Sequence, residues 1–245
     1  MENEFQIPKD TNGADGQSQS QLWKRLVDDF MSSTNHFSFD TIQNFDEHIA
    51  QSIPNYDLLA TAICDLSTFF VREDTRVVDL GCSTGKLLER IPFAGEKVGI
   101  DVSTNLLPES HDNILYVRKD IRSLNTFGNC GLVLSLFTLQ FIPYEDRPAV
   151  LSTIYESLVE GGAFIWAEKV QEESGELESI MNNAHWDYKR RSFTAQQILD
   201  KERDLRSMMK VNSSMRNQVM AENAGFTVGT LFWKFFNFEA WLYIK

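Results

Sequence analysis

At 245 residues the chain is long enough for one substantial hydrophobic core, or a core with an appended subdomain. Its 42% hydrophobic and 24% charged residues are ordinary for a globular protein, and no apolar run approaches the roughly 18 to 20 residues of a membrane helix. With 35 acidic against 23 basic residues the net charge is -12, which argues against generic binding to nucleic acid or anionic membrane, since both attract concentrated positive charge.

The first ten residues, MENEFQIPKD, lack a basic start and an apolar run, so they do not read as a secretory leader. Residues 1–20, rich in Gly, Ser, Gln, Asn and Asp, are too polar to bury much and read as a disordered tail. Leu22, Trp23, Leu26, Val27 and Phe30 then fall at helical spacing, and a second helical stretch near Phe45 to Ser52 is stopped by Pro54. Together they predict a helical cap over 21–58, ahead of a core over 59–245. A third helix, from about Tyr56 to Phe70, places Leu58, Leu59, Ala62, Ile63, Leu66 and Phe69 on one side. Three sparse cysteines, Cys64, Cys82 and Cys130, lack metal-ligand spacing and fit a reducing cytoplasm.

From Arg76 the pattern becomes that of strands alternating with helices. RVVDL, KVGIDVS, ILYVRKDI and CGLVLSLFTLQFI read as four strands. Arg147 to Leu158 reads as a helix ended by Gly161 and Gly162, with AFIWAEKV as a fifth strand. Such alternation indicates a parallel sheet covered on both faces. Residues 172–222 are polar and helical, too long for an ordinary connection, so 172–216 is expected to be an inserted helical lid. The aromatic segment after Gly225 alternates as a closing hairpin. The fold class expected is α/β: a mostly parallel seven-stranded sheet with an antiparallel last strand, N-terminal helices and the lid. Lys189, Arg190, Arg191, Lys201, Arg203, Arg206, Lys210 and Arg216 make the lid the one clearly basic stretch. That stretch is either a solvated helical face or a patch facing an anionic substrate.

Three turns carry candidate chemistry. In VVDLGCSTG, Gly81 and Gly85 let the backbone turn sharply and approach a ligand, while the next helix opens a cradle of free amides. The G-x-x-x-G spacing departs from the dinucleotide G-x-G-x-x-G, and Asp79 just before it suits the cationic amino group of a methionine moiety. Cys82 and Ser83 complete this turn. About twenty residues on, Asp101 ends the next strand beside Val102 and Ser103, where a carboxylate can accept both ribose hydroxyls or cap a helix. After the third strand, Asp120 can accept from an adenine amine with Ile121 against the ring, or act only as a cap. In this order the three turns predict S-adenosylmethionine as cofactor, with no metal.

Phe45-Asp46-Glu47 through Ser52-Ile53-Pro54-Asn55-Tyr56, DLGCSTG, FTLQF (137–141), Ile154-Tyr155, GGA (161–163), Glu168-Lys169, HWDYKR (185–190) and the AGF…FNF ending (224–238) resemble the carboxy-S-adenosyl-L-methionine synthases. Those enzymes have the Rossmann-like class I methyltransferase fold and use prephenate to make the carboxylated donor for wobble-uridine modification in transfer RNA. The resemblance covers 39–245. It implies that Tyr56, Gly81, Asp101, Asp120 and Ile121 line a nucleoside site, that Leu136 stands where the family has an asparagine, and that the protein is a homodimer. In the family an arginine within a Gln-Lys-Arg-Ser run pairs with the added carboxylate. Asp200-Lys201-Glu202-Arg203 aligns with that run and puts Glu202 opposite the arginine, whereas a one-residue shift brings Arg203 there.

The leading expectation is therefore a cytoplasmic S-adenosylmethionine-dependent methyltransferase with a small acceptor, anionic where the basic stretch faces it. His185 and Tyr188 are the candidate base or orienting groups, and Lys189, Arg190 and Arg203 the candidate anion contacts. The alternatives are carboxy-S-adenosylmethionine synthesis and a non-catalytic nucleoside-binding partner protein. His48 reads as a solvent-exposed helix residue, and Glu168, at the end of the fifth strand, as either a further base or orienting candidate or a salt-bridge partner of Lys169.

Overall fold

A computed structural model describes residues 44–245. The expected tail over 1–20 and the amphipathic segment from Leu22 to Phe30 lie outside the described residues. The described chain opens with helices α1 (Phe45–Ser52) and α2 (Tyr56–Ser67). In α2 the buried stripe is Leu59, Ala60, Ile63 and Ser67, while Leu58 and Phe69 are exposed. The expected apolar face was therefore rotated: a continuous run of apolar residues leaves the phase of a helix ambiguous until the sheet chooses it.

Strands β1 (Arg76–Leu80), β2 (Lys97–Asp101), β3 (Ile114–Arg118) and β4 (Cys130–Leu136) follow, with helix α3 (Lys86–Arg90) between β1 and β2. Helix α4 (Arg147–Ser157) leads into the long strand β5 (Leu158–Gln171). Next come α5 (Gly175–Lys189), α6 (Ala195–Met208), the two-residue β6 (Asn212–Ser213) and α7 (Ser214–Ala224). The hairpin β7 (Val228–Phe235) and β8 (Phe238–Ile244) closes the chain.

The sheet order is β3-β2-β1-β4-β5-β8-β7, with β6 pairing β5. Strands β1 to β5 are parallel, and β8 runs antiparallel between β5 and β7. This is the expected sheet with one addition, the short β6 that docks the chain leaving the α5–α6 pair against Val170 and Gln171. Strand alternation feeds two cores. Val78, Leu80, Val133, Phe164 and Trp166 pack toward α4 and α7, whereas Val77, Leu132, Leu134, Ile165 and Ala167 pack toward α2 and α3. No described helix is long and apolar enough to cross a membrane.

Two strand boundaries differ from the sequence reading. β4 stops at Leu136 because Phe137 adopts φ +56°, and Leu139–Phe141 form a 3-10 turn. β5 begins at Leu158, before the glycines, with a register break against β4 where Gly161 and Gly162 lie. The order of strands reverses direction between β1 and β4, and at that switch point the C-terminal ends of parallel strands diverge and leave room for a ligand.

Candidate active site

At the switch point, Gly81 (φ +79°), Ser83 (φ +51°) and Gly85 (φ +73°) curl the chain off β1 into α3. The close approach is built in, because a Cβ on Gly81 would lie 2.1 Å from Thr138 Oγ1 at the end of β4. Asp101 holds the turn from β2: its Oδ2 accepts from Ser83 N at 2.9 Å and its Oδ1 from Ser103 N at 2.8 Å. Each oxygen keeps a lone pair for a ligand hydroxyl, so the capping and ribose readings of Asp101 are compatible. The Ser83 hydroxyl is buried with no hydrogen-bond partner, and Cys82 is buried in the core beneath. Val102 borders the turn on its solvent side.

Asp79 is buried at the end of β1, and its carboxyl is pushed up to about 7 by burial, then by the negative charge of Asp101. Two carboxylates close enough to repel, one of them desolvated, form a site for a cation. Burial and the carboxylates of Asp79 and Asp46 drive the Tyr56 phenol well above its ordinary pKa, so it stays a neutral donor beside them. Helix α1 is tied to the same turn, since Asp46 accepts from Thr84 Oγ1 at 2.6 Å and pairs with Lys86 at 2.8 Å. An orphaned hydroxyl, two glycines, a ribose-type acceptor and a buried acid fit a sulfonium nucleoside that carries an amino group.

The third turn is arranged differently from expectation. Asp120 accepts from Arg122 N, and both its oxygens face the Arg122 guanidinium, which also reaches Asp146. The Arg122 charge and hydrogen bonds hold the Asp120 carboxyl below the usual carboxylate range. Asp120 is thus a cap and ion-pair member, and an adenine amine would have to share it. Ile121 is buried in the α4-side core rather than laid out as a shelf. Leu136 is half-buried and packs on the α2 side of the sheet.

The candidates on α5 and α6 separate into inward and outward groups. His185 is 3% exposed; its Nε2 donates to the Ser52 carbonyl at 2.8 Å, which leaves Nδ1 unprotonated, buried and without a partner. Burial, then Lys189, lowers its pKa to about 4. Tyr188 donates to the Ala50 carbonyl at 3.1 Å, so both residues clasp α5 onto the end of α1. Lys189 is buried and paired with Glu202 at 3.1 Å. Among the described residues Arg190 and Arg203, with side chains 65% and 79% exposed, pair with Asp187 and Asp200, three positions before each. On α6 Glu202 faces inward and Arg203 outward. Glu168 is not the partner of Lys169. Alternation on β5 puts them on opposite faces, and Glu168 instead accepts from Trp166 Nε1 at 2.9 Å. His48 is half-buried against Phe193, lowered to about 4 by burial, Lys201 and Lys189, rather than solvent-exposed.

A methyltransferase-domain family model matches residues 77–162. The carboxy-S-adenosyl-L-methionine synthase of Staphylococcus epidermidis is 32% identical over 218 residues, covering 85% of this chain and 95% of that protein. That of Mannheimia succiniciproducens is 31% identical over 226 residues, covering 85% and 93%. The chain belongs to the carboxy-S-adenosyl-L-methionine synthase family. It is an S-adenosylmethionine-dependent transferase of the class I methyltransferase fold. Among solved structures, Haemonchus contortus phosphoethanolamine N-methyltransferase 2, in complex with phosphomonomethylethanolamine and S-adenosylhomocysteine, superposes with a TM-score of 0.54 at 18% identity, over 83% of this chain and 45% of that one. A methyltransferase complex with the Haloferax volcanii Trm112 activator gives 0.59 at 16%, over 84% and 97%. Both likenesses concern the fold alone.

Four residues near the site entered the sequence reading only as members of matching motifs. Phe137 packs against Tyr56 (ring centroids 6.4 Å) and Phe238 (5.8 Å), and Phe238 meets His185 edge-on at 4.9 Å. These contacts form a continuous aromatic wall from the nucleoside turn to α5. Asp46 ties α1 over the glycine turn. Lys169 was noted only as part of a matching dipeptide, and nothing in its neighbours in sequence marks it as half-buried.

Proposed function

We propose that the chain transfers the methyl group of S-adenosylmethionine to a small-molecule acceptor held between the switch point and the α5–α6 pair. Asp79 and Tyr56 would hold the amino-acid end of the donor, Asp101 its ribose, and Ser83 with the Gly81–Gly85 turn its linking portion. When bound, the cofactor supplies an already activated methyl on a sulfonium. The chain then has only to align the acceptor with it and keep water out, which positioning alone can accelerate. The wall of Phe137, Phe238 and His185 does the excluding. His185 and Tyr188 act by fixing α5 over the site, and residues 172–216 serve as its cover within the 59–245 core.

One observation favours methyl transfer over donor carboxylation. Glu202, which the unshifted alignment sets opposite the synthases' carboxylate-binding arginine, points inward as a carboxylate bound to Lys189. A carboxylate on the sulfonium would find no guanidinium there to bind it in bidentate fashion. The second reading, carboxy-S-adenosylmethionine synthesis from prephenate for transfer RNA modification, is supported by the names of the relatives at about 31% identity. Resemblance to that family also supports a homodimer in the cytoplasm, and the net charge of -12 supports the absence of generic nucleic-acid contact.

Incubation with S-adenosylmethionine carrying a trideuterated methyl group and a small-metabolite extract, read by mass spectrometry, tests the choice. The expected result is the deuterated methyl on a small molecule and an equal yield of S-adenosylhomocysteine. A donor gaining the mass of a carboxyl group when prephenate is supplied would replace this reading with the second.

A further inference from the structure

The opposite pole of the site is basic. Lys169 lies near the C-terminal end of β5, in register with Phe238, on the face that carries Ile165 and Ala167 toward the nucleoside side. Its backbone N–H is fixed by Gln140 Oε1 at 2.9 Å. Its side chain is half-buried, its ammonium makes no hydrogen bond or ion pair with any described residue, and the nearest balancing charge is the Glu202 carboxylate. A half-buried ammonium with no acceptor in hydrogen-bond reach is poorly satisfied, and an anionic ligand would supply that acceptor.

The acids facing it act on it by charge while their hydrogen bonds go elsewhere. Glu202 is already hydrogen-bonded to Lys189. Glu178, the other acid nearby, accepts from Glu172 N and Asn182 Nδ2. Around Glu202 and the two histidines the lysine charges outweigh the acidic ones. Glu202 remains ionised despite burial because Lys169 and Lys189 hold it so. His185 is lowered by burial and by Lys189 and Lys169, and His48 by burial, Lys201 and Lys189. Lys169 itself is lowered by burial and Lys189, against the opposing charges of Glu202 and Glu178. In the same place the buried, unprotonated Nδ1 of His185 lacks a donor.

We propose that Lys169, backed by the Lys189–Glu202 pair and His185, forms an anion subsite that takes a carboxylate or phosphate of the acceptor. This rests on the reading of the chain as a methyl donor enzyme. The aromatic wall of Tyr56, Phe137 and Phe238 joins the acidic pole at Asp79 and Asp101 to this basic pole, so a cationic donor and an anionic acceptor would be held at its two ends. The Lys169 ammonium supplies the charge, and His185 Nδ1 accepts from a hydroxyl of the same ligand. Charge complementarity at both ends fixes which group of the acceptor faces the methyl.

Full-length protein is titrated calorimetrically with malonate and, separately, with inorganic phosphate in a buffer free of other small anions, with and without saturating S-adenosylhomocysteine. Saturable binding of one probe is expected. Preference for malonate assigns a carboxylate acceptor, and preference for phosphate a phosphorylated one. Lys169→Met should weaken the anion at least tenfold and leave S-adenosylhomocysteine affinity within twofold. Lys169→Arg should retain most of the anion binding, and Arg206→Ala, on the exposed face of α6, all of it. The subsite is refuted if the wild type binds neither probe, or if Lys169→Met binds them as tightly as wild type does. Failure of the wild type to bind S-adenosylhomocysteine would instead strike the methyl-transfer reading, since the anion arm is read without it.

Discussion

Replacing Asp101 with alanine is expected to weaken S-adenosylhomocysteine binding by about 100-fold. The carboxylate has two duties at once. It accepts the Ser83 and Ser103 amides, at 2.9 and 2.8 Å, and so shapes the glycine turn from the neighbouring strand. Its remaining lone pairs are the proposed acceptors for the ribose hydroxyls. Hydrogen bonds to a charged acceptor contribute about 1.5 to 3 kcal/mol each, and every 1.4 kcal/mol is about tenfold in affinity. Loss of two ribose bonds would therefore account for the change even if the turn kept its shape. Asp101→Asn retains one acceptor oxygen and should fall between the two. Calorimetry on wild type and both variants, with circular dichroism to verify folding, measures this. An alanine variant binding within threefold of wild type would remove the ribose assignment.

The second large effect concerns stability. Arg147 is 1% exposed, donates through Nε to the Ile142 carbonyl at 2.9 Å, and through its terminal nitrogen to Gln140 O at 3.3 Å and Lys210 O. Lys210 N in turn donates to Gln140 O at 2.6 Å. One guanidinium thus ties the 3-10 turn after β4 to the chain returning from α6. The Gln140 side chain carries the same node to the backbone of Lys169. Arg147→Met keeps most of the volume but strands buried carbonyls, and breaking such a network typically costs about 3 to 5 kcal/mol. For a domain of this size that corresponds to a fall in Tm of about 10 °C. Differential scanning calorimetry should find it, with Arg147→Lys intermediate because an ammonium cannot fork between three carbonyls. A shift under 2 °C would mean that the node carries no stability.

What was legible in the sequence is what is local. The Arg76–Leu80 strand, the glycine turn and Asp101 lie within a short span and obey one geometry, so their spacing alone places them at one end of the sheet. The hairpin and the parallel order of β1 to β5 followed from alternation and helix length. Arg147 and Lys169 were illegible because long-range packing makes them what they are. Arg147 reads as an ordinary first-turn helix residue, and only the return of Lys210, 63 positions later, buries it. Glu202 and Arg203 are adjacent, and the phase of α6 against Lys189 decides which turns inward. The position of Asp120 suits an adenine acceptor or a cap, and the arginine two residues on engages its oxygens. His185 looked like a base on a polar helix; the carbonyl at the end of α1, 133 residues earlier, makes it a clasp.

The central claim is that the acidic ends of β1 and β2 hold the donor nucleoside, and proton-linked calorimetry addresses it most directly. In the free protein Asp79 titrates at about 7, raised by burial and by Asp101. An ammonium bound beside it favours the ionised form, so below that pH binding must expel a proton and is weakened, and above it the acid is already charged. S-adenosylhomocysteine titrated at pH 6, 7 and 8 should bind one molecule per chain, several-fold tighter at pH 8 than at pH 6, with proton release at the lower pH that Asp79→Asn abolishes. Absence of binding at every pH, or an affinity flat across the range in wild type and variant alike, would contradict the account.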